Sequence, residues 1–104
     1  MRGQSVLTRF PIKKSKNKME EPMRLLVVED ERSLREDIAK KLRLSGYEVD
    51  ACEDGEEALD ILASEQYDLI LLDLNLPKVD GMTVLRTLRE SDLETRVLIL
   101  SARS

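Results

Sequence analysis

The sequence predicts a single α/β domain in which a parallel β-sheet carries helices on both faces. Short apolar runs alternate with amphipathic stretches along the chain, which is the pattern of successive β-α-β units. The 104 residues suffice for one domain with a compact core. Because 41% of the residues are hydrophobic and only 3% are aromatic, that core must consist mainly of Leu, Val, Ile and Ala.

Four segments have the pattern of β-strands. Residues 25–28 and 69–72 contain only Leu, Val and Ile, which is typical of central strands that are buried on both faces. Tyr47, Val49 and Ala51 alternate with acidic residues, which favours an edge strand. Residues 97–100 form a further apolar run and predict the fourth strand.

Three segments have helical periodicity. Ser33 and Glu36 have capping-box spacing and predict the start of the first helix, and Gly46 is a suitable end for it. Asp54 and Glu57 repeat this spacing before the second helix. The third helix follows a turn-rich loop and has an apolar stripe at Val84, Leu85 and Leu88.

The absence of histidine excludes several classes of chemistry. Ser-His and Cys-His pairs, histidine metal sites and phosphohistidine carriers all need that residue. Cys52 is the sole cysteine and is expected to be a packing residue, because it can form no internal disulfide and has no neighbouring base. Any reaction must therefore use carboxylates, hydroxyls or a bound cation.

Charge divides the chain into two parts. Residues 1–18 hold six basic and no acidic residues, and residues 1–22 lack periodicity, so we expect a disordered basic leader there. From Met23 onward there are 11 basic and 19 acidic residues, which disfavours direct binding to nucleic acid or to a membrane surface. No apolar run is long enough for a membrane span or a secretory signal, which predicts a cytoplasmic protein.

Acidic residues directly follow the two most apolar strands. Glu29 and Asp30 come after the first, and Asp73 comes after the third. Ligands of open parallel sheets bind beyond the carboxyl ends of the strands, and with a strand order of 2-1-3-4 these three carboxylates would converge in one crevice. Converging carboxylates repel one another, and an open site with oxygen ligands favours Mg²⁺. The backbone carbonyl of Asn75 is a candidate for an additional ligand.

Asp73 and Ser101 together predict a phosphorylation switch. Bound Mg²⁺ would neutralise charge that otherwise excludes an anionic phosphoryl donor, so that Asp73 can attack in line. Ser101 follows the fourth strand at the same edge, where its hydroxyl can hydrogen-bond a phosphoryl oxygen on Asp73. Taken singly, Ser101 also fits a turn residue and Asp73 a cap after a strand, but the coincidence at three strand ends favours the functional interpretation.

The segment from Met23 to Ser104 resembles the receiver domain of response regulators. The resemblance rests on four motifs, LLVVEDE, GYEVDACEDGEEAL, YDLILLDLNLPKVDG and VLILSA. It implies a flavodoxin-like (CheY-like) doubly wound parallel sheet of order 2-1-3-4. It also implies a phosphoacceptor domain of a two-component system, which takes its phosphoryl group from a sensor histidine kinase with Mg²⁺ as cofactor and is not a turnover enzyme.

The resemblance assigns roles to individual residues. Asp73 would be the phosphoacceptor and Ser101 the switch hydroxyl. Glu29 and Asp30 would be the acidic pair beside Mg²⁺, with Asp30 the closer ligand. The motifs are most similar to regulators with a C-terminal winged-helix DNA-binding domain, which implies a role in transcription regulation.

The chain departs from the family pattern near its carboxyl end. Receivers continue through a fourth helix, a fifth strand that ends in a lysine, and a fifth helix, whereas this pattern ends at Ser104. Lys78 is expected to be solvated rather than to replace that lysine, and Arg103 is too near the terminus to do so. A truncated receiver would expose its fourth strand, so we expect marginal stability and self-association through that strand.

Three alternative functions are compatible with part of the pattern. A truncated or degenerate receiver fragment without signalling activity has the same motifs. A haloacid-dehalogenase-type phosphatase also uses an aspartate after a buried strand, but such enzymes resemble one another in a second aspartate two residues later, where this chain has Asn75. A flavodoxin-type electron carrier has the same layers, but the acidic residues 29–31 would repel a flavin phosphate.

Overall fold

The computed structural model describes residues 21–101, with side chains described as far as Leu100. Strands and helices alternate in the order β1 (Arg24–Val28), α1 (Arg32–Leu44), β2 (Glu48–Cys52), α2 (Gly55–Leu62), β3 (Leu69–Asp73), α3 (Gly81–Ser91) and β4 (Arg96–Ser101). The strands form one parallel sheet in the order β2-β1-β3-β4. The predicted fold class and strand order are therefore confirmed, whereas most of the predicted leader and Arg103 lie outside the described residues.

The sheet has a hydrophobic core on each face. Successive side chains of β1 and β3 point to opposite faces, so an all-apolar strand contributes to both cores. The core shared with α2 and α3 contains Leu26, Val28, Cys52, Ala58, Tyr67, Ile70, Leu72, Leu76 and Val84. The core shared with α1 contains Leu25, Val27, Ala39, Val49 and Leu71.

The first helix begins earlier than the sequence predicts. Ser33 is not its N-cap, since α1 starts at Arg32 and Glu31 occupies the cap position without a side-chain hydrogen bond. The Glu29 carboxylate accepts a hydrogen bond from the Glu31 N–H at 3.0 Å, which turns the chain into the helix immediately after β1. The predicted end is correct, because Gly46 follows the helix with φ of +99°, a conformation that glycine adopts without strain.

Carboxylate caps start the other two helices. Asp54 accepts a hydrogen bond from the Glu57 N–H at 2.8 Å, which confirms the predicted start of α2. Asp80 accepts one from the Thr83 N–H at 2.8 Å and starts α3 in the same way. None of the helices in residues 21–101 has both the length and the apolar character that a membrane span requires.

The outer strands differ from the central ones in exposure. In β2, which pairs only with β1 among the described strands, Val49 is buried but Ala51 is exposed, so the predicted alternation holds only in part. In β4, Leu98 is 52% and Ile99 39% exposed. The register between β3 and β4 shifts by one residue, which brings the backbone of Ser101 opposite Asp73. The two central strands, β1 and β3, end at the same edge of the sheet, which is the edge formed by the carboxyl ends of the parallel strands.

Candidate functional site

The carboxylates of Glu29, Asp30 and Asp73 converge at the carboxyl edge of the sheet. One oxygen from each side chain lies within 4.8 Å of the others. Asp73 is the last residue of β3, and Glu29 and Asp30 follow the last residue of β1. Because these two strands are hydrogen-bonded neighbours, their ends lie side by side, as the strand order 2-1-3-4 requires.

Two members of this carboxylate cluster are buried. Asp73 is 0% and Glu29 1% exposed, whereas Asp30 is exposed. The Oδ1 atom of Asp73 accepts a hydrogen bond from the Asn75 N–H at 3.0 Å, but its Oδ2 atom is buried without a hydrogen-bond partner. An unpartnered buried carboxylate oxygen is costly, so this atom marks a position where a ligand would stabilise the fold.

Burial and like charge both act on the cluster. Desolvation is the main cause that raises the pKa of Glu29 above its ordinary value, and the neighbouring charge of Asp73 adds to it. The hydrogen bond from the Glu31 N–H opposes that rise. Two carboxylate charges at this 4.8 Å limit repel each other by about 3.5 kcal/mol at an effective dielectric of 20, and nearer ones repel more. The site therefore favours a cation.

The donor set fits a hard divalent cation. All three side chains offer oxygen atoms, Asp30 keeps one side of the cluster open to solvent, and Asp73 supplies an oxygen without a partner. Mg²⁺ prefers such ligands, and it binds through one or two carboxylates while it keeps several waters.

The loop between β1 and α1 is held by an arginine that sequence patterning did not identify. Nη1 of Arg35 donates to the carbonyl oxygens of Glu29 at 3.0 Å and Asp30 at 3.3 Å. Its Nη2 lies 3.9 Å from a carboxylate oxygen of Glu53, and the side chain is only 14% exposed. The sequence does place a basic residue in the first helical turn after the acidic residues that follow β1. Its spacing alone, however, does not show that the Arg35 side chain points back to that loop.

The loop between β3 and α3 packs tightly against both Asp73 and α2. A Cβ atom added to Gly81 would lie 2.4 Å from the carbonyl oxygen of Asp73. A Cβ atom added to Gly55 would lie 1.7 Å from the carbonyl oxygen of Val79. Only glycine therefore allows these close approaches, which hold the start of α3 beside the acceptor strand and the loop beside the start of α2.

Lys78 is exposed, as the sequence led us to expect, and it also makes two ion pairs. Its side chain is 62% exposed, and its Nζ lies 3.5 Å from Oδ2 of Asp54 and 3.9 Å from Oε1 of Glu56. Since both acids lie at the start of α2, Lys78 links the β3–α3 loop to that helix. The capping hydrogen bond from Glu57 lowers the pKa of Asp54, and the charge of Lys78 lowers it further.

Three other residues were singled out from the sequence, namely Asn75, Ser101 and Cys52. The N–H of Asn75 is bonded to Asp73, while its carbonyl as a metal ligand stays a prediction. The backbone of Ser101 lies opposite Asp73, but its hydroxyl is outside the described side chains. Cys52 is buried in the core, and burial raises the pKa of its thiol to about 12, which agrees with a packing role.

Comparison with known proteins gives a consistent result. The family model described as "Response regulator receiver domain" matches residues 25–104. The transcriptional regulatory protein DltR of Streptococcus agalactiae is 49% identical over 82 residues, which cover 79% of this chain and 37% of that protein. The chain thus spans little more than a third of the length of such curated relatives.

Solved structures show the same similarity. One match is to the complex of histidine kinase ThkA with response regulator protein TrrA, and TrrA comes from Thermotoga maritima. The TM-score is 0.72 at 39% identity, and the match covers 79% of this chain and 71% of the matched chain. The receiver domain of a sensor histidine kinase from Pseudomonas aeruginosa, with a magnesium ion coordinated in its active site cleft, matches with a TM-score of 0.75 and 31% identity over 79% and 69%.

The family match covers every described strand and helix apart from Arg24, the first residue of β1. It also includes the three converging carboxylates. Fold, site geometry and sequence similarity agree, and the chain belongs to the response regulator receiver domain family.

Proposed function

We propose that this chain is a Mg²⁺-dependent phosphoryl acceptor that is phosphorylated on Asp73. The observation that carries the proposal is the buried, unpartnered Oδ2 of Asp73 beside the carboxylates of Glu29 and Asp30. These three side chains, with the backbone carbonyl of Asn75, would hold the metal. When bound, Mg²⁺ supplies positive charge that offsets the repulsion within the cluster and that between the cluster and an anionic phosphoryl donor.

The residues of the chain orient the acceptor. The Asn75 N–H holds Oδ1 of Asp73 and so orients the carboxylate. As a carboxylate oxygen of Asp73 forms a bond to phosphorus, the P–N bond of a donor phosphohistidine breaks and the imidazole leaves. Because Asp73 is buried, the site must open to admit the donor. The hydroxyl of Ser101 would then hydrogen-bond the phosphoryl group and hold the phosphorylated state.

The proposed donor is a sensor histidine kinase. A similar response regulator, TrrA, is known in complex with the histidine kinase ThkA, and DltR is named as a transcriptional regulatory protein. By analogy, residues 23–104 would be the receiver part of a cytoplasmic transcription regulator, an acceptor rather than a turnover enzyme. Its surplus of acidic residues disfavours direct contact with nucleic acid by this segment.

Self-association through β4 is also proposed. Among the described strands β4 pairs only with β3, and its exposed Leu98 and Ile99 give the open edge an apolar character. Edge strands of this kind template pairing with another chain. Sedimentation of the purified chain over a range of concentrations checks the proposal, and a monomer at all of them would contradict it.

The acceptor function is tested by mass spectrometry after incubation with acetyl phosphate. We expect a gain of one phosphoryl group that requires Mg²⁺ and is absent in Asp73→Asn. Asp37→Asn, which removes one exposed carboxylate from α1, is the matched control and should be phosphorylated like the unmodified chain. No gain by the unmodified chain, with folding confirmed by circular dichroism, would favour the inert-fragment alternative.

A further inference from the structure

Arg35 reaches back from α1 to the backbone that carries two of the three clustered carboxylates. Its Nη1 donates to the carbonyl oxygens of both Glu29 and Asp30, at 3.0 and 3.3 Å. These carbonyls precede the first hydrogen bond of the helix, which runs from the Arg35 N–H to the Glu31 carbonyl at 2.9 Å. One residue therefore anchors the helix start through its backbone and the preceding loop through its side chain.

The position of Glu29 is fixed by three separate hydrogen bonds. Its N–H donates to the Cys52 carbonyl at 3.1 Å, its carboxylate accepts from the Glu31 N–H, and its carbonyl accepts from Arg35. Asp30 is different, because it lies one residue further from β1 than Glu29 and its side chain is exposed. The hydrogen bond from Arg35 thus holds the carbonyl of the cluster residue that the sheet constrains least.

We propose that Arg35 is a positioning residue for the cation site, holding Glu29 and Asp30 so that their carboxylates meet Asp73. This inference rests on the proposed Mg²⁺-dependent function and names a residue on which that site depends. Arg35 acts through the backbone of the carboxylate residues, and the metal is held by the carboxylates themselves. Groups that orient metal ligands in this way commonly contribute 10- to 100-fold to metal affinity.

Charge and positioning predict opposite effects when Arg35 is replaced. The guanidinium is a cation close to a cation site, so loss of its charge alone would strengthen Mg²⁺ binding. Loss of its hydrogen bonds frees the loop and would weaken binding. The direction of the change in Mg²⁺ affinity therefore distinguishes the two effects.

Isothermal titration of the full chain with MgCl₂ is the test, together with thermal unfolding in the absence of Mg²⁺. Arg35→Met removes charge and hydrogen bonds but keeps an apolar stem. Arg35→Lys keeps the charge but has a shorter stem and lacks the second nitrogen that faces Glu53. Arg32→Met is the matched control, because Arg32 lies on the same helix and, within residues 21–101, makes only an exposed ion pair with Glu36 at 3.1 Å.

We expect the Mg²⁺ dissociation constant to rise about tenfold in Arg35→Met, to rise less in Arg35→Lys, and to stay within about twofold in Arg32→Met. A dissociation constant in folded Arg35→Met that is equal to or lower than that of Arg32→Met would overturn the inference. If Arg35→Met does not fold, Arg35→Lys decides, and unchanged affinity in that variant would overturn it too. Absence of Mg²⁺ binding by the unmodified chain would overturn the proposed function as well.

Discussion

Replacement of Asp73 by asparagine should stabilise the metal-free protein. The side chain is fully buried, and one of its oxygens has no hydrogen-bond partner. Asparagine keeps the acceptor for the Asn75 N–H and replaces the unpartnered oxygen with an amide, which can donate to a neighbouring carboxylate. The substitution thus removes one buried charge and satisfies one buried polar atom.

The size of the gain follows from the separation of the carboxylates. At the 4.8 Å limit of these separations and an effective dielectric of 20, a like-charge pair costs about 3.5 kcal/mol. The exposure of Asp30 lets solvent screen one pair, and in the other pair the charge of Asp73 is one of the causes that raise the pKa of Glu29. We therefore expect a net gain of about 2 kcal/mol, which corresponds to a rise in Tm of roughly 8 to 16 °C in a domain of this size.

Thermal and urea unfolding in the presence of EDTA measure this gain. Asp37→Asn removes an exposed carboxylate and should change the free energy of unfolding by less than about 0.5 kcal/mol. Added Mg²⁺ should raise the Tm of the unmodified chain more than that of Asp73→Asn, because the proposed metal site in the folded state includes Asp73. A variant no more stable than the unmodified chain in EDTA would refute the view that repulsion among the three carboxylates destabilises the metal-free protein.

Three further predictions concern the surroundings of the site. Gly55→Ala should lower the free energy of unfolding by about 1 to 3 kcal/mol in urea titrations, because the added Cβ would lie 1.7 Å from the Val79 carbonyl oxygen; unchanged stability would contradict this packing. Cys52 should not react with a thiol reagent at pH 8 until the protein is unfolded, since burial raises its pKa to about 12; rapid labelling of the folded chain would contradict its buried position. Asp54→Asn should be less stable than the unmodified chain at pH 7 but equally stable near pH 2. The lowered pKa of Asp54 means that its carboxylate stabilises the fold above the ordinary carboxyl pKa, and that this contribution is lost as the pH falls through the folded-state value. A stability difference independent of pH would contradict it.

Much of the architecture follows from local patterns. The apolar runs at 25–28 and 69–72 are typical of strands with two buried faces, and the structure confirms both. The start of α2 was predictable because an aspartate at the N-cap commonly accepts a hydrogen bond from the backbone N–H three residues later, as Asp54 does from Glu57. The start of α1 was not, since the Glu31 N–H is satisfied by Glu29 and the spacing of Ser33 and Glu36 was coincidental.

The sequence by itself determined the fold class, the strand order through the family resemblance, and the three carboxylates of the cluster, because side-chain periodicity and strand ends are local properties. Only the tertiary structure decided how these residues are held. The approach of Arg35 to Glu53, the link from Lys78 to Asp54 and the burial of Asp73 all depend on contacts between segments far apart in the chain. Such contacts form only when the sheet brings separate loops to one edge, and no spacing along the sequence encodes their distances.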